Sequence, residues 1–139
     1  MSTIHTASVP VRWSDFDRYG HMMNANYVEL AQEARSQFAF ERIYPKVPGF
    51  AVFVRHLELD FAAPIMPQGL QVVEVDTRVT RIGNTSFTTQ QEIRAPHGPV
   101  ACTVTCVQVA VDIKIQQPRP LTDEERAILA ETFVEGAGN

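Results

Sequence analysis

The spacing of apolar residues predicts one long helix in the first third of the chain. Between Asn24 and Phe40 the apolar residues recur three or four positions apart, which is the spacing of one buried helix face. They are Tyr27, Leu30, Ala31, Ala34 and Phe38. Asn24 or Asn26 can cap this helix, and Asn26 has Glu29 three residues later, as in a capping box. The stretch from Pro45 to Gly49 then ends the helical unit.

Alternating apolar and polar residues predict strands on both sides of this helix. Residues 4–13 alternate loosely, and Val9, Val11 and Trp13 are expected on one side of a strand. After the helix, four long runs follow one another, joined by hairpins with proline- and glycine-containing turns. The runs are 51–62, 70–81, 85–95 and 100–115, with turns at Pro64 to Gly69, at Gly83-Asn84 and at His97 to Pro99. The last run exceeds an ordinary strand in length, so we expect strong curvature or a bulge in it.

The order of these elements predicts a single α+β domain over residues 1–139, in which a long curved antiparallel sheet wraps around one central helix. Pro118 and Pro120 end the last strand, and Thr122 to Glu125 begins a short C-terminal helix with a capping box. The first strand is expected at an edge of the sheet or beside the later strands. A long unpaired edge remains, which favours association with a second copy of the chain.

Composition and charge narrow the classes of partner. The hydrophobic share of 45% and the charged share of 20% are ordinary for a globular domain. The net charge of -4 argues against nucleic acid as a main partner. No apolar run reaches the roughly 18–20 residues that a membrane span needs, and the first residues lack the pattern of a secretory signal. We therefore expect a cytoplasmic protein that binds neither nucleic acid nor membrane.

The two cysteines, Cys102 and Cys106, lie four residues apart in a predicted strand. Their side chains should therefore share one face, unlike the pair in a CxxC motif. We expect reduced, packed thiols, with a redox pair or a metal site as the alternative. The sequence shows no cluster of metal ligands, no phosphate-binding glycine loop and no Ser-His-Asp arrangement, so it implies no cofactor.

A polar stretch, DFDRYGHMMNANY, precedes the helix and holds more polar chemistry than a cap requires. An aspartate before the loop is followed by Gly-His, an asparagine and a tyrosine, and by Glu-Ala-Arg on the helix. In this chain these residues are Asp17, Gly20, His21, Asn24, Tyr27 and Glu33 to Arg35. Together with RHLELDFAAPIMPQGL and TRIGNTSFTTQQEI, the pattern resembles the hotdog-fold acyl-CoA thioesterases of the 4-hydroxybenzoyl-CoA thioesterase type, over about residues 8–126. One departure is Met23, where many relatives have the first asparagine of a pair.

The resemblance implies hydrolysis of an acyl-CoA, or a related acyl thioester, to free acid and thiol. It implies that Asp17 is the catalytic carboxylate, as nucleophile or as general base, and that the backbone N–H of Asn24 polarises the thioester carbonyl. Such chemistry needs an activated water or nucleophile and donors for the oxyanion. A helix start supplies free N–H groups and partial positive charge, and Gly20 permits the backbone turn between the two residues.

Other residues near this pattern have a functional and a structural interpretation. His21 is a general acid-base group or braces the loop by a hydrogen bond. Tyr27 belongs to the core with its hydroxyl near the site. Ser86 lies along the pantetheine arm, by resemblance, or is an ordinary sheet serine. Asp15 is assigned a structural or solvent role, and Met22 and Met23 line an acyl pocket or pack in the core. Candidates for the nucleotide end of coenzyme A are Arg55, Arg78, Arg81, Arg94 and Arg119.

Two alternative functions use the same fold. One is a non-catalytic module that binds acyl thioesters, and the presence of Asp17 argues against it. The other is a hotdog-fold dehydratase, which would need an Asp-His pair on a characteristic loop that the sequence lacks. We expect a homodimer or homotetramer with acyl-CoA as substrate and with sites at the subunit interface.

Overall fold

The computed structural model describes residues 4–67 and 69–135, and within these ranges the chain forms one antiparallel sheet and two α-helices. A short 3₁₀ turn, Trp13–Asp15, lies between the first strand and the first helix. In chain order the other elements are β1 (His5–Pro10), α1 (Asn24–Arg42), β2 (Val52–Phe61), β3 (Val72–Ile82), β4 (Ser86–Arg94), β5 (Val100–Asp112), β6 (Gln117–Pro118) and α2 (Asp123–Ala130).

The strands form one sheet in the order β1-β3-β4-β5-β2, with β6 paired to β5. All pairs are antiparallel. The first strand lies at an edge, as predicted, and β2 forms the other edge. The expectation that hairpins join all four later strands is wrong for β2, because β2 pairs with β5 rather than with β3. The two-residue β6 was not predicted, since it is too short to show alternation.

The buried face of α1 agrees with its predicted apolar stripe and adds one charged residue. The buried residues of the helix are Tyr27, Leu30, Ala31, Ala34, Arg35 and Phe38. The first half of this face packs in a cluster with Val73, Val75 and Val104. Phe38 packs in a second cluster with Phe87 and with Leu129 of α2. The start of α1 therefore lies at one end of the sheet and α2 at the other.

The predicted bulge in the longest strand is present. Ile93 pairs with Cys102 and Arg94 pairs with Val100, so Ala101 is the extra residue in β5. Ala101 and Cys102 are consequently both buried, and a bulge of this kind increases the local twist of the sheet. The predicted capping box of α2 is also present, since Thr122 and Glu125 exchange hydrogen bonds of 2.8 and 3.1 Å.

The predicted end of β1 and the predicted cap of α1 are wrong, because Asp15 accepts hydrogen bonds from the Arg12 backbone N–H and from the Asn26 side chain. Strand β1 ends at Pro10, and Trp13 is 90% exposed rather than aligned with Val9, since the Arg12 backbone N–H turns to the Asp15 carboxylate at 2.6 Å. The N-cap of α1 is Met23, with no side-chain hydrogen bond. Asn26 does not cap the helix, because its amide donates to Asp15 at 2.7 Å.

The two cysteines are free and buried on the core side of β5, as predicted. Burial raises the pKa of Cys102 to about 11 and also raises the pKa of Cys106. Both therefore behave as packed thiols. In the ranges that the structure describes, no helix has the length and apolar character to cross a membrane.

Candidate active site

The polar stretch before α1 folds as a tight hairpin. The Asp17 N–H donates to the His21 carbonyl at 2.9 Å, and the Gly20 N–H donates to the Asp17 carbonyl at 3.0 Å. Gly20 has φ of +78°, the left-handed region that favours glycine. This is a three-residue turn closed by a glycine bulge. The predicted use of Gly20 as the turning residue thus agrees with the structure.

The turn holds the Asp17 carboxylate through one of its two oxygens. Asp17 Oδ1 accepts from the backbone N–H of Tyr19 at 2.8 Å and of His21 at 3.1 Å. Within the described residues, Oδ2 receives no hydrogen bond. The half-buried residue lines a pocket of about 270 Å³ together with Trp13, Phe16, Arg18, Gly20 and Pro67. One oxygen is therefore anchored, and the other is available to a reactant.

Asp15, two residues earlier, has the opposite environment. Its carboxylate is fully buried and accepts from the Arg12 backbone at 2.6 Å, from Arg12 Nη2 at 2.7 Å and from Asn26 Nδ2 at 2.7 Å. Its carbonyl accepts the Met23 N–H at 2.9 Å. Burial alone would raise the pKa of Asp15, but the hydrogen bonds from Arg12 and Asn26 outweigh it and hold the pKa below its usual value. Asp15 therefore joins the 3₁₀ turn, the hairpin and the helix start.

Asn24 is the first residue of α1, and its backbone N–H has no acceptor among the residues that the structure describes. Its side chain is exposed and likewise makes no hydrogen bond there. First-turn N–H groups lack partners within the helix and carry the positive end of its dipole. Asn24 lines a pocket of about 300 Å³ whose other walls are His21, Met22, Tyr27 and residues 61–64. A free donor thus stands at the edge of a pocket.

Tyr27 and His21 contribute differently to that pocket. Tyr27 is buried, and its ring packs edge-to-face on Phe61 with centroids 5.4 Å apart. Burial raises the pKa of Tyr27, and a backbone hydrogen bond from Ile65 lowers it in part, so the phenol stays neutral. The His21 imidazole is exposed, and the hydrogen bonds that brace the loop come from the His21 backbone.

Asp17 and Asn24 line neighbouring pockets rather than one cavity. The link between them is His21, which lines the Asn24 pocket while its N–H binds Asp17 Oδ1 at 3.1 Å. Phe16 and Met22 pair across the same hairpin. The two predicted catalytic residues therefore line different pockets, which are connected through His21.

Ser86 does not join this group within one chain. It begins β4, whereas Ile93 near the end of β4 pairs with Cys102 beside the Asn24 end of the core. At about 3.4 Å per residue, Ser86 lies more than 20 Å along the strand from that end.

The structure separates the candidate arginines into paired and unpaired ones. Arg78 pairs with Glu92 at 2.7 Å, Arg94 with Asp76 at 2.6 Å and Arg119 with Glu125 at 2.7 Å. Over the described residues, Arg55 and Arg81 form no ion pair. The row Arg81–Thr88–Val107–His56 crosses the sheet next to Arg55, so both lie at the Ser86 end.

Sequence reasoning missed Arg18 and placed Trp13 wrongly, although both line the Asp17 pocket. Arg18 stacks on the Tyr19 ring at 5.0 Å, and its position directly after Asp17 was the available signal. Among the described residues, no group of three or more His, Cys, Asp or Glu side chains is placed to hold a metal ion.

A family model described as the thioesterase-like superfamily matches residues 11–129, a range that includes the hairpin, α1, the four long strands and nearly all of α2. The chain belongs to the thioesterase-like superfamily. None of the curated proteins compared with the chain matches it. The family assignment thus rests on the family model, and solved structures extend the comparison.

Solved structures of thioesterases are similar over most of the chain. A thioesterase from Thermus thermophilus, described as complexed with coenzyme A and Zn, is 28% identical, with TM-score 0.76 and coverage of 91% of this chain and 90% of that one. A predicted thioesterase from Bacillus stearothermophilus is 24% identical, with TM-score 0.84 and coverage of 97% and 100%. A 1,4-dihydroxy-2-naphthoyl-CoA thioesterase from Synechocystis is 18% identical, with TM-score 0.76 and coverage of 93% and 97%. The last two support the fold alone.

Proposed function

We propose that the chain hydrolyses an acyl-CoA, or a related acyl thioester, to free acid and thiol, as an enzyme of the 4-hydroxybenzoyl-CoA thioesterase type. The observation that carries this proposal is the Asn24 N–H, which has no acceptor in the described part of the chain. Asn24 lines a pocket together with His21, whose own N–H donates to Asp17 Oδ1. Superfamily membership and the coenzyme A-bound Thermus relative support it.

In the proposed reaction, the thioester carbonyl oxygen accepts a hydrogen bond from the Asn24 N–H, which stabilises the oxyanion as it forms. As a general base, Asp17 Oδ2 takes a proton from water while the water oxygen bonds to the carbonyl carbon. The C–S bond then breaks, and the proton passes to the leaving sulfur. As a nucleophile, Oδ2 instead bonds to the carbonyl carbon, the C–S bond breaks and the thiolate leaves, taking a proton from water. A water molecule then hydrolyses the anhydride, which yields the free acid and restores the Asp17 carboxylate. Both routes use the oxygen that the fold leaves free.

The proposed substrate lies over the hairpin that contains His21. Its carbonyl oxygen then reaches the Asn24 N–H, and its carbonyl carbon faces Asp17. His21 and Tyr27 then form the wall on the acyl side, with Phe61 behind the Tyr27 ring. Asp15 takes no part in the chemistry and keeps the hairpin registered to the helix start through Asn26 and Met23.

We infer that two copies pair along β2, as a homodimer or within a homotetramer in the cytoplasm. β2 is a ten-residue edge strand that exposes Phe53, Val54 and Phe61, and long apolar edges favour pairing. Antiparallel pairing brings the Val52 end of one β2 beside the Phe61 end of the other. One end of the second copy's sheet, which carries Ser86, Arg55 and Arg81, then approaches the Asn24 pocket. In this arrangement Ser86 contacts the pantetheine arm and the two arginines contact the coenzyme A phosphates.

The test is a hydrolysis screen over aromatic, short-, medium- and long-chain acyl-CoAs, read by free-thiol release from wild type and Asp17→Asn. The asparagine Oδ1 can accept the same two backbone hydrogen bonds, so the variant should fold normally. Its turnover should fall at least about 10²-fold, the effect of losing a general base.

Asp112→Asn is the matched control, because Asp112 Oδ1 also accepts a backbone N–H two residues later, from Lys114 at 3.0 Å. It should keep wild-type turnover. Near-normal thiol release by folded Asp17→Asn would show that another residue is catalytic. Binding of acyl-CoA without thiol release from any class would instead identify a binding module.

A further inference from the structure

Gln91 is a polar residue at the centre of the sheet, and its side chain is fully buried. It lies in β4, the central strand, with Thr77 of β3 directly opposite. Along β4 it stands between Ile93, in the first apolar cluster, and Phe87, in the second. A buried polar group is costly unless it is hydrogen-bonded, so the partners of Gln91 indicate its role.

The Gln91 side chain binds α1 at two points. Nε2 donates to the backbone carbonyl of Ala31 at 3.1 Å, and Oε1 accepts from Arg35 Nη1 at 3.0 Å. Ala31 and Arg35 are four positions apart, so they are neighbours on one face of the helix. Nε2 also donates to Thr77 Oγ1 at 3.1 Å, which orients the amide. The side chain therefore joins two successive turns of α1 to the sheet.

Apolar packing alone defines the position of α1 on the sheet less sharply. The middle of the buried helix face includes Ala31 and Ala34, whose side chains are single methyl groups. Apolar contacts are non-directional, whereas a hydrogen bond weakens when it is stretched or bent. Fixing register is the best-attested use of buried polar groups. The bonds of Gln91 therefore define how far α1 extends along the sheet and how it is rotated.

The register of α1 determines where the proposed oxyanion donor stands. Asn24 is seven positions before Ala31, which is two turns and about 10 Å along the axis, on nearly the same side of the helix. The Asn24 pocket has Asn24 and Tyr27 of α1 on one side and residues 61–64 on another. Phe61 ends β2 and pairs with β5, so this second wall belongs to the sheet. A displacement of α1 on the sheet would therefore move the donor relative to that wall.

Other polar contacts hold α1 on its β1 side. Arg12, directly after β1, binds Asp15 and Glu29, and Asp15 binds Asn26 in the first turn of α1. β1 and β2 form opposite edges of the sheet. These contacts therefore constrain the helix start relative to the end of β1, whereas Gln91 constrains α1 over the central strand, towards the wall of residues 61–64.

We propose that Gln91 is a positioning residue for thioester hydrolysis, which keeps the Asn24 N–H at the place where the oxyanion forms. The inference rests on the proposed function. Loss of the Gln91 hydrogen bonds should impair the transition state more than substrate binding, because the donor acts on the charge that develops in the reaction. A misplacement of about 1 Å, caused far from the reacting atoms, can reduce turnover by about 10²-fold.

The test is Gln91→Met, which keeps the length of the side chain and removes its hydrogen bonds. Measured well below the melting temperature, kcat should fall about 10–100-fold while KM stays within a few fold of wild type, as expected for an interaction made in the transition state. Gln108→Met is the matched control. Gln108 is also a buried glutamine of the sheet, but its amide donates to Thr89 of β4 at 3.3 Å rather than to α1. This variant should keep wild-type kcat.

A double-mutant cycle tests whether Gln91 acts through the donor. Asn24→Pro removes the N–H, so Gln91→Met should lower kcat by no more than a few fold in that background. Losses that multiply fully would overturn the route through Asn24. A purely structural role would lower the melting temperature and leave the kcat of the folded protein unchanged, which would also overturn the inference.

A crystal structure of Gln91→Met gives a measurement that does not depend on turnover. Compared with wild type in the same crystal form, α1 should move on the sheet by about 1 Å, and the Tyr27 and Phe61 ring centroids should leave their separation of 5.4 Å. An unmoved helix would overturn the inference.

If Gln91→Met does not fold, Thr77→Val takes its place, because it removes one acceptor of the Gln91 amide. Its kcat should fall by a smaller factor, and wild-type kcat in this variant would overturn the inference. Hydrolysis by wild type with unchanged kcat in the folded variants overturns the inference alone. Absence of hydrolysis by wild type overturns the proposed function and the inference with it.

Discussion

Replacing Asn24 by proline removes the proposed oxyanion donor without removing a structural hydrogen bond. Asn24 is the first residue of α1, a position at which proline is well tolerated. The preceding residue, Met23, already has φ of -70° and ψ of 144°, the extended conformation that a following proline requires. The N–H that is lost has no acceptor in the described residues. We therefore expect the free energy of unfolding of Asn24→Pro to stay within about 0.5 kcal/mol of wild type.

The activity of the same variant should fall sharply. Loss of one oxyanion donor reduces kcat by about 10²–10³-fold. Asn24→Ala keeps the N–H and removes a side chain that neither caps the helix nor forms a hydrogen bond among the described residues. Its kcat should stay within a few fold of wild type, and its stability should change by no more than about 0.5 kcal/mol.

The assay combines thiol-release kinetics on the best substrate of the screen with urea unfolding. Asp123→Pro is the matched control, because Asp123 is the first residue of α2 and follows an extended N-cap, Thr122; it should keep wild-type kcat. Equal loss of activity in Asn24→Ala and Asn24→Pro would show that the side chain is catalytic. A folded Asn24→Pro with wild-type kcat would refute the backbone donor altogether.

Two further predictions concern stability and assembly. Asp15→Asn should lower the free energy of unfolding at neutral pH by about 1–3 kcal/mol, because one of three donors then faces an amide NH₂. The folded pKa of Asp15 lies below its ordinary value of 3.8, so this stabilisation is present above that pH and is lost as the pH falls through the folded pKa. Urea unfolding over this pH range should therefore show that the free energy of unfolding depends less on pH in the variant than in wild type. An equal pH dependence in both proteins would contradict the supporting role of the Asp15 carboxylate. Val54→Lys should reduce the mass measured by light scattering at micromolar concentration to that of a monomer. The control is Ile115→Lys, which changes another exposed apolar residue and should leave the mass unchanged. A wild-type protein that is itself monomeric would contradict pairing along β2.

Elements whose signals are local were predictable from the sequence. The apolar spacing of α1, the Gly83-Asn84 hairpin and the Thr122 capping box each depend on residues within a few positions. The start of α1 was predicted wrongly because its groups pair over longer separations. The Asn26 side chain donates a hydrogen bond to Asp15, eleven positions earlier, and the Glu29 carboxylate accepts one from Arg12, seventeen positions earlier. Such hydrogen bonds outcompete a local cap once the fold brings the partners together.

The candidate site was predictable as a set of positions but not as an arrangement. The resemblance pointed to Asp17, His21 and Asn24, and the structure connects them through His21, which donates to Asp17 Oδ1 and lines a pocket with Asn24. It gave no sign that Ser86 stands at the opposite end of the sheet, since strand order depends on pairing between distant segments. The burial of Arg35 did have a sequence signal. Position 35 continues the spacing of Ala31, Ala34 and Phe38, so it lies on the buried stripe despite its charge.

The fold places the identical side chains of Asp15 and Asp17 in different environments, which agree with the supporting role and the catalytic role that we propose for them. Both oxygens of Asp15 accept hydrogen bonds from protein donors, which ties the residue to Arg12 and Asn26, and its complete burial keeps it away from a ligand. Asp17 uses only Oδ1, and the donors are backbone groups of its own turn. Hydrogen bonds from its own turn therefore fix the direction of the Asp17 carboxylate and leave Oδ2 without a protein donor in the described residues. The residue that we propose as reactive is therefore the one whose second oxygen accepts no hydrogen bond in the described residues, and the buried Asp15 connects its hairpin to the helix start.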